Sequence, residues 1–159
     1  CYLDFAIDGV PAGRVQIELY GSVVPRTAQN FKELATGKPG FGYAGTQVFR
    51  VVEGFTVQLG DVLKDDGSAG RSIYGDSFER ENFRIRHSVR GMVTMINGPG
   101  LRPDSRFLID TRPDGSGYLD DKYVGFGRVV DGMNVVERIE RLPTRGTKNS
   151  PRAKVVITG

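Results

Sequence analysis

The sequence predicts a mainly β fold: a closed eight-stranded antiparallel β-barrel capped by two α-helices. Three observations carry this expectation. Short runs of alternating or β-branched apolar residues recur along the chain, only two stretches have helical spacing, and turn-forming residues punctuate the runs. With 22 Gly and 8 Pro, the composition favours turn-rich β structure over a helical bundle. A length of 159 residues suits one domain, residues 1–159, able to bury a core without disulfide staples.

Residues 2–7 and 14–20 read as an antiparallel hairpin, with turn chemistry in Asp8-Gly9-Val10-Pro11-Ala12-Gly13 and Val15, Ile17 and Leu19 toward the core. Pro25 opens a helix through Thr36. Its apolar spacing runs through Val24, Ala28, Phe31, Leu34 and Ala35, and Gly37 is its stop. Strands follow at 47–52 and 55–60. Val48, Val51 and Val57 are expected in the core and Arg50, Phe55 and Gln58 outward together, the pleat placing Arg50 on the opposite face from Val51 and Gln58 on the opposite face from Val57. Residues 61–90 form a long polar segment, mostly loop, a length often tied to function. Strands are expected at 91–95, 107–109 and 124–129. A second helix spans 133–142 with Val135, Val136, Ile139 and Leu142 on one side, and a last strand spans 154–158.

Composition narrows the chemistry. The 22 Lys+Arg against 19 Asp+Glu leave a net charge of only +3, in scattered clusters rather than a stripe, so nucleic-acid binding is not expected. The single cysteine, Cys1, excludes an internal disulfide and a thiolate metal cluster, which fits a reducing compartment; the cytoplasm is the expected location, with an organelle or the nucleus left open. Starting at Cys1 leaves room for a removed leader. No apolar run is long enough for a membrane-spanning helix, so no membrane insertion is expected.

Several motifs fail on context. Gly40-Phe41-Gly42-Tyr43-Ala44-Gly45 spells G-x-G-x-x-G, but a helix precedes it and a strand follows, the reverse of a dinucleotide site. Asp61, Asp65 and Asp66 do not make a calcium loop, because Lys64 intervenes and Ser72 occupies the twelfth position. His87 is the only histidine and reads as a surface or structural residue. What remains is chemistry that needs shape and a hydrogen-bond donor but little proton transfer.

Four phrases, Val24 to Phe31 (V-P-R-T-A-Q-N-F), Gly40 to Gly45, Ser72 to Phe83 (S-I-Y-G-D-S-F-E-R-E-N-F) and Val130 to Glu137, together with the segment Val48 to Asp61, resemble the cyclophilin family of peptidyl-prolyl isomerases along nearly the whole chain. The resemblance implies a cyclophilin-like barrel and cis-trans isomerisation of X-Pro bonds in protein clients, without a cofactor. It makes Arg50 the catalytic arginine, Phe55 and Leu119 walls of the proline pocket, and Gln58 a polar partner that orients the site. Asn97 and Gly98 would pair with the peptide backbone. Thr56, Ile96, Arg106, Leu108, Tyr118 and Tyr123 would complete the substrate surface. The chain departs from the family's usual wording at Phe49, Thr56, Leu59, Arg106, Leu108, Tyr118 and Tyr123 and in the loop Pro99 to Pro103. Thr56 and Leu108 replace larger apolar groups and loosen the grip on proline. Arg106 adds positive potential beside Arg50 unless an acid intervenes. Two readings stay open: an isomerase with reduced activity, or a catalytically weak binding or scaffold subunit of a larger protein assembly.

Overall fold

The computed structural model describes residues 1–159. Strands β1 (Tyr2–Ile7) and β2 (Val10–Leu19) form the opening hairpin, and α1 (Pro25–Thr36) follows. The short strands β3 (Arg50–Val52) and β4 (Thr56–Leu59) precede the long segment, after which come β5 (Met92–Asn97), β6 (Pro103–Asp110), β7 (Gly125–Asp131), α2 (Met133–Glu140), β8 (Thr144–Arg145), β9 (Ser150–Pro151) and β10 (Val155–Ile157). Eight strands make one antiparallel sheet in the order β10-β1-β2-β7-β5-β6-β4-β3, and β8 and β9 pair separately.

The sheet curls without closing into the expected barrel. Its edge strands β10 and β3 do not pair. The irregular stretch 45–48 spans the gap with one bridge, Gln47 to Val156, and backbone bonds Gly45 N–H to Ile157 O (2.7 Å), Val48 N–H to Val155 O (2.9 Å) and Ile157 N–H to Thr46 O (2.9 Å). Those bonds cover the edge of β10, and the Val51 N–H to Asn149 O bond (3.0 Å) covers part of the edge of β3, shielding both from pairing with another chain.

Other boundaries also differ from expectation. β2 begins at Val10 because the turn is only Asp8-Gly9, with φ 50° and 81°, the doubly positive geometry of a tight two-residue hairpin. Pro11 is tolerated inside β2 beside a register shift in the pairing with β1. Phe55 lies in the turn between β3 and β4 rather than in a strand. The second helix ends at Glu140, two residues early; Leu142 still packs on the core.

One cross-strand row shows why the core sits where it does. Val51, Val57, Ile109 and Val93 are successive partners across β3, β4, β6 and β5, and each is at most 1% exposed. Phe31 on α1 meets Tyr43, Phe107 and Phe126 at ring-centroid distances of 5.1–5.3 Å, locking the helix onto the sheet. The N-terminus of α1 has no local side-chain cap. Instead Glu81 accepts the N–H groups of Arg26 (3.0 Å) and Thr27 (2.9 Å), placing negative charge where the helix dipole favours it and fastening the long segment to α1. Asn30, fully buried, continues that tether, donating to Asp104 O (2.9 Å) and accepting from Ile73 N–H (2.9 Å).

Candidate active site

The row adjacent to the core row emerges on the opposite face of the sheet. Arg50 on β3 partners Gln58 on β4, Gln58 partners Leu108 on β6, and Leu108 partners Thr94 on β5. Cross-strand partners project to the same side, so a guanidinium, an amide and an isobutyl group form one line. Arg50 and Gln58 are half-buried; Leu108 and Leu119 are buried. The guanidinium–carboxylate pairs of the molecule belong to Arg14, Arg86, Arg90, Arg106 and Arg141, leaving the Arg50 fork with no acidic partner.

An aromatic rim borders this line. The Phe55 and Tyr118 rings stand 6.0 Å apart, Phe55 half-buried and Tyr118 exposed. One backbone bond, Thr111 N–H to Phe55 O (3.0 Å), and one bond from backbone to side chain, Gly54 N–H to the buried Glu140 carboxylate (3.0 Å), tie the Phe55 turn to its neighbours. Tyr118 and Leu119 sit on a single 3-10 turn, Gly117–Leu119, whose Leu119 carbonyl accepts the Tyr123 N–H at 3.1 Å. Ile96 and Tyr123 are half-buried.

Asn97 and Gly98 are more committed than expected. Asn97 Nδ2 donates to Lys122 O at 2.9 Å. The Gly98 N–H donates to Arg102 O (2.8 Å), and its carbonyl accepts from Leu101 N–H (3.1 Å). Gly98 is required for another reason: a Cβ there would lie 2.6 Å from Arg106 Nη2, too close for the guanidinium to remain.

Arg106 corrects an expectation. It is 9% exposed and lies two residues from Asp104 on the same face of β6. Asp104 takes both edges of its fork, Nε to Oδ1 at 3.2 Å and Nη2 to Oδ2 at 2.8 Å. The acid therefore does intervene, and Arg106 brings no uncompensated charge to the face. Its remaining edge, Nη1, donates to Gly67 O at 2.9 Å, pinning the loop after β4. Gly67, at φ 89°, has no room for a side chain because the Phe49 ring lies where a Cβ would go. This loop walls a groove of about 330 Å³ lined by Phe49, Arg50, Asp66, Gly67, Ser68, Thr147 and Lys148. A larger groove of about 850 Å³, beside Cys1, Lys32 and Phe41, includes none of the candidate residues.

Beside the line, two residues farther along β4 and β6 and on the same face, lies a buried polar pair, Thr56 and Asp110, of which the sequence reading named only Thr56. Thr56 partners Asp110 across β4 and β6; both are 1% exposed, and Thr56 Oγ1 and Asp110 Oδ2 have no hydrogen-bond partner. His87, expected at the surface or in a structural role, is fully buried, with Nδ1 2.8 Å from Asp120 Oδ1. Burial raises the Asp110 carboxyl above its ordinary value, outweighing the Arg112 N–H that its Oδ1 accepts at 3.0 Å. Because the folded value lies above the unfolded one, Asp110 costs stability as pH rises from the ordinary aspartate range through the raised value. Asp110→Asn is accordingly expected to stabilise the fold by about 1 kcal/mol at neutral pH, with the gain vanishing at acid pH. Melting temperatures of both proteins across that range check it; a constant difference at every pH would contradict the assignment.

The molecule is thus a curled antiparallel β protein that carries on one face a guanidinium with no acidic partner, in register with Gln58 and Leu108. The family model for cyclophilin type peptidyl-prolyl cis-trans isomerase/CLD matches residues 2–159, and the chain belongs to that family.

Proposed function

We propose that this chain is a peptidyl-prolyl cis-trans isomerase acting on X-Pro bonds of extended protein segments, with Arg50 as its catalytic residue. The observation that supports this reading best is the row Arg50–Gln58–Leu108, in which an unpaired guanidinium and an apolar surface share one face. Rotation about a peptide bond meets a barrier of roughly 18–20 kcal/mol because resonance must be lost. Leu108 and Leu119, with Phe55, take the proline ring. Arg50 donates toward the prolyl nitrogen or the neighbouring carbonyl and favours the twisted, deconjugated state over either planar one. Its charge persists at any working pH, and no proton is transferred. Gln58, opposite Arg50 in register, orients the fork, and Asn97 with the second lone pair of the Gly98 carbonyl engages the peptide backbone. Thr56, two residues from Gln58 on the same face of β4, shapes the floor.

The test is catalysed exchange of cis and trans forms of a short Ala-Pro peptide, followed by NMR. Exchange that rises in proportion to protein concentration supports the reading; exchange no faster than the uncatalysed peptide overturns it. The rival, a binding or scaffold subunit, uses the same face and draws on the smaller volumes at Thr56 and Leu108. Leu108→Phe combined with Thr56→Met is expected to tighten proline-peptide binding a few-fold, by adding apolar contact and removing an unpaired buried hydroxyl. Weaker binding in a titration, with an unchanged amide spectrum, would mean that the floor is shaped for a different guest.

A further inference from the structure

We propose that Arg112 is a specificity-determining residue that selects X-Pro segments carrying Asp or Glu close to the proline; this deepens the isomerase reading and rests on it. The guanidinium of Arg112 lies over both rim aromatics, 4.6 Å from the Phe55 centroid and 5.0 Å from the Tyr118 centroid. Such stacking holds the planar group in place through the ring quadrupoles while its N–H edges remain available. The residue is exposed. Its backbone is fixed by the bond from its N–H to Asp110 Oδ1, and its side chain forms no hydrogen bond or ion pair. The charges around it leave that fork free. Asp110 is buried below and bonded to the Arg112 backbone, and Asp114, two residues on, makes no ion pair.

The contrast with Arg106 locates the positive potential of the face. Arg106 has both a carboxylate and a carbonyl, whereas Arg50 and Arg112 have neither. A peptide whose proline lies against Leu108 and Leu119 passes the Phe55–Tyr118 rim, where a carboxylate side chain can meet the Arg112 fork edge-on. Arg50 is committed to the reacting amide, and Lys148 lies in the Arg50 groove, so Arg112 is the free cation at the Phe55–Tyr118 rim.

The experiment uses Ala-Pro peptides with Ala, Glu or Lys one or two residues to either side of the proline. Dissociation constants and kcat/KM are measured for wild type, Arg112→Gln and Arg112→Lys at low and high salt. Wild type is expected to prefer Glu over Lys about threefold to fivefold at low salt at one or more positions. The preference should fall toward one in Arg112→Gln, persist in part in Arg112→Lys, and shrink with salt as exposed charges are screened. Equal affinity for Glu and Lys peptides in wild type, or a full preference in Arg112→Gln, overturns the proposal. The Ala peptide separates the two failures. If it binds and turns over while Glu and Lys do not differ, only the role of Arg112 falls; if it neither binds nor turns over, the isomerase reading falls and this inference with it.

Discussion

Replacing Arg50 by alanine is expected to lower kcat/KM for X-Pro isomerisation by about a hundredfold to a thousandfold while leaving the fold intact. The magnitude is that of removing one preorganised donor from a developing charge distribution. The fold survives because the Arg50 guanidinium belongs to none of the ion pairs, while its neighbour Val51, 1% exposed, does the packing on that strand. Arg50→Lys should recover only a fraction of the activity, since a point charge on a flexible stem does not reproduce a fixed fork. Thermal unfolding and turnover on the same preparation check both halves. Normal turnover by folded Arg50→Ala protein would exclude the mechanism.

Asp61→Ala is expected to cost about 3 kcal/mol of stability, the largest structural effect of a single polar substitution near the face. The Asp61 carboxylate is fully buried and accepts five backbone N–H groups: those of Leu63 (3.0 Å), Lys64 (2.8 Å), Asp66 (3.3 Å), Gly67 (2.9 Å) and Ala69 (3.2 Å). It organises the loop that Arg106 pins and that walls the Arg50 groove, so catalysis should weaken together with stability. Burial alone would raise this carboxyl, but the donors from Lys64, Leu63, Ala69 and Asp66 outweigh it and hold it below its ordinary value. A depressed folded value contributes stability that is complete above the ordinary aspartate range and is lost as pH falls through the depressed one. Denaturant unfolding at neutral pH should therefore separate wild type from Asp61→Ala, and the gap should close in acid. A gap independent of pH would assign the loss to packing instead of charge.

The parts of this molecule that were legible in the sequence are those governed by local periodicity. Val51 and Val57 alternate with Arg50 and Gln58 on either side of a tight turn, so their opposite faces follow from the pleat. Helix α1 runs from Pro25 to Thr36 as its proline and the glycine at 37 require, with Gly37 at φ 74°. The open seam was not legible, because whether β3 meets β10 depends on the irregular path of 45–48. The pairing of Asp104 with Arg106 was readable in principle, since residues two apart on a strand share a face. Arg112 was not, because its partners Phe55 and Tyr118 come from two separate turns that only the folded sheet brings together.

The most direct measurement of the central claim is a titration of isotope-labelled protein with an Ala-Pro peptide, reading backbone amide shifts residue by residue alongside the exchange rate of the peptide. The account predicts that the largest shifts fall on Arg50, Gln58, Leu108, Leu119 and the Phe55 turn, and that they saturate together with catalysed exchange. Shifts confined to the groove beside Cys1, Lys32 and Phe41, with Arg50 and Leu108 undisturbed, would contradict it.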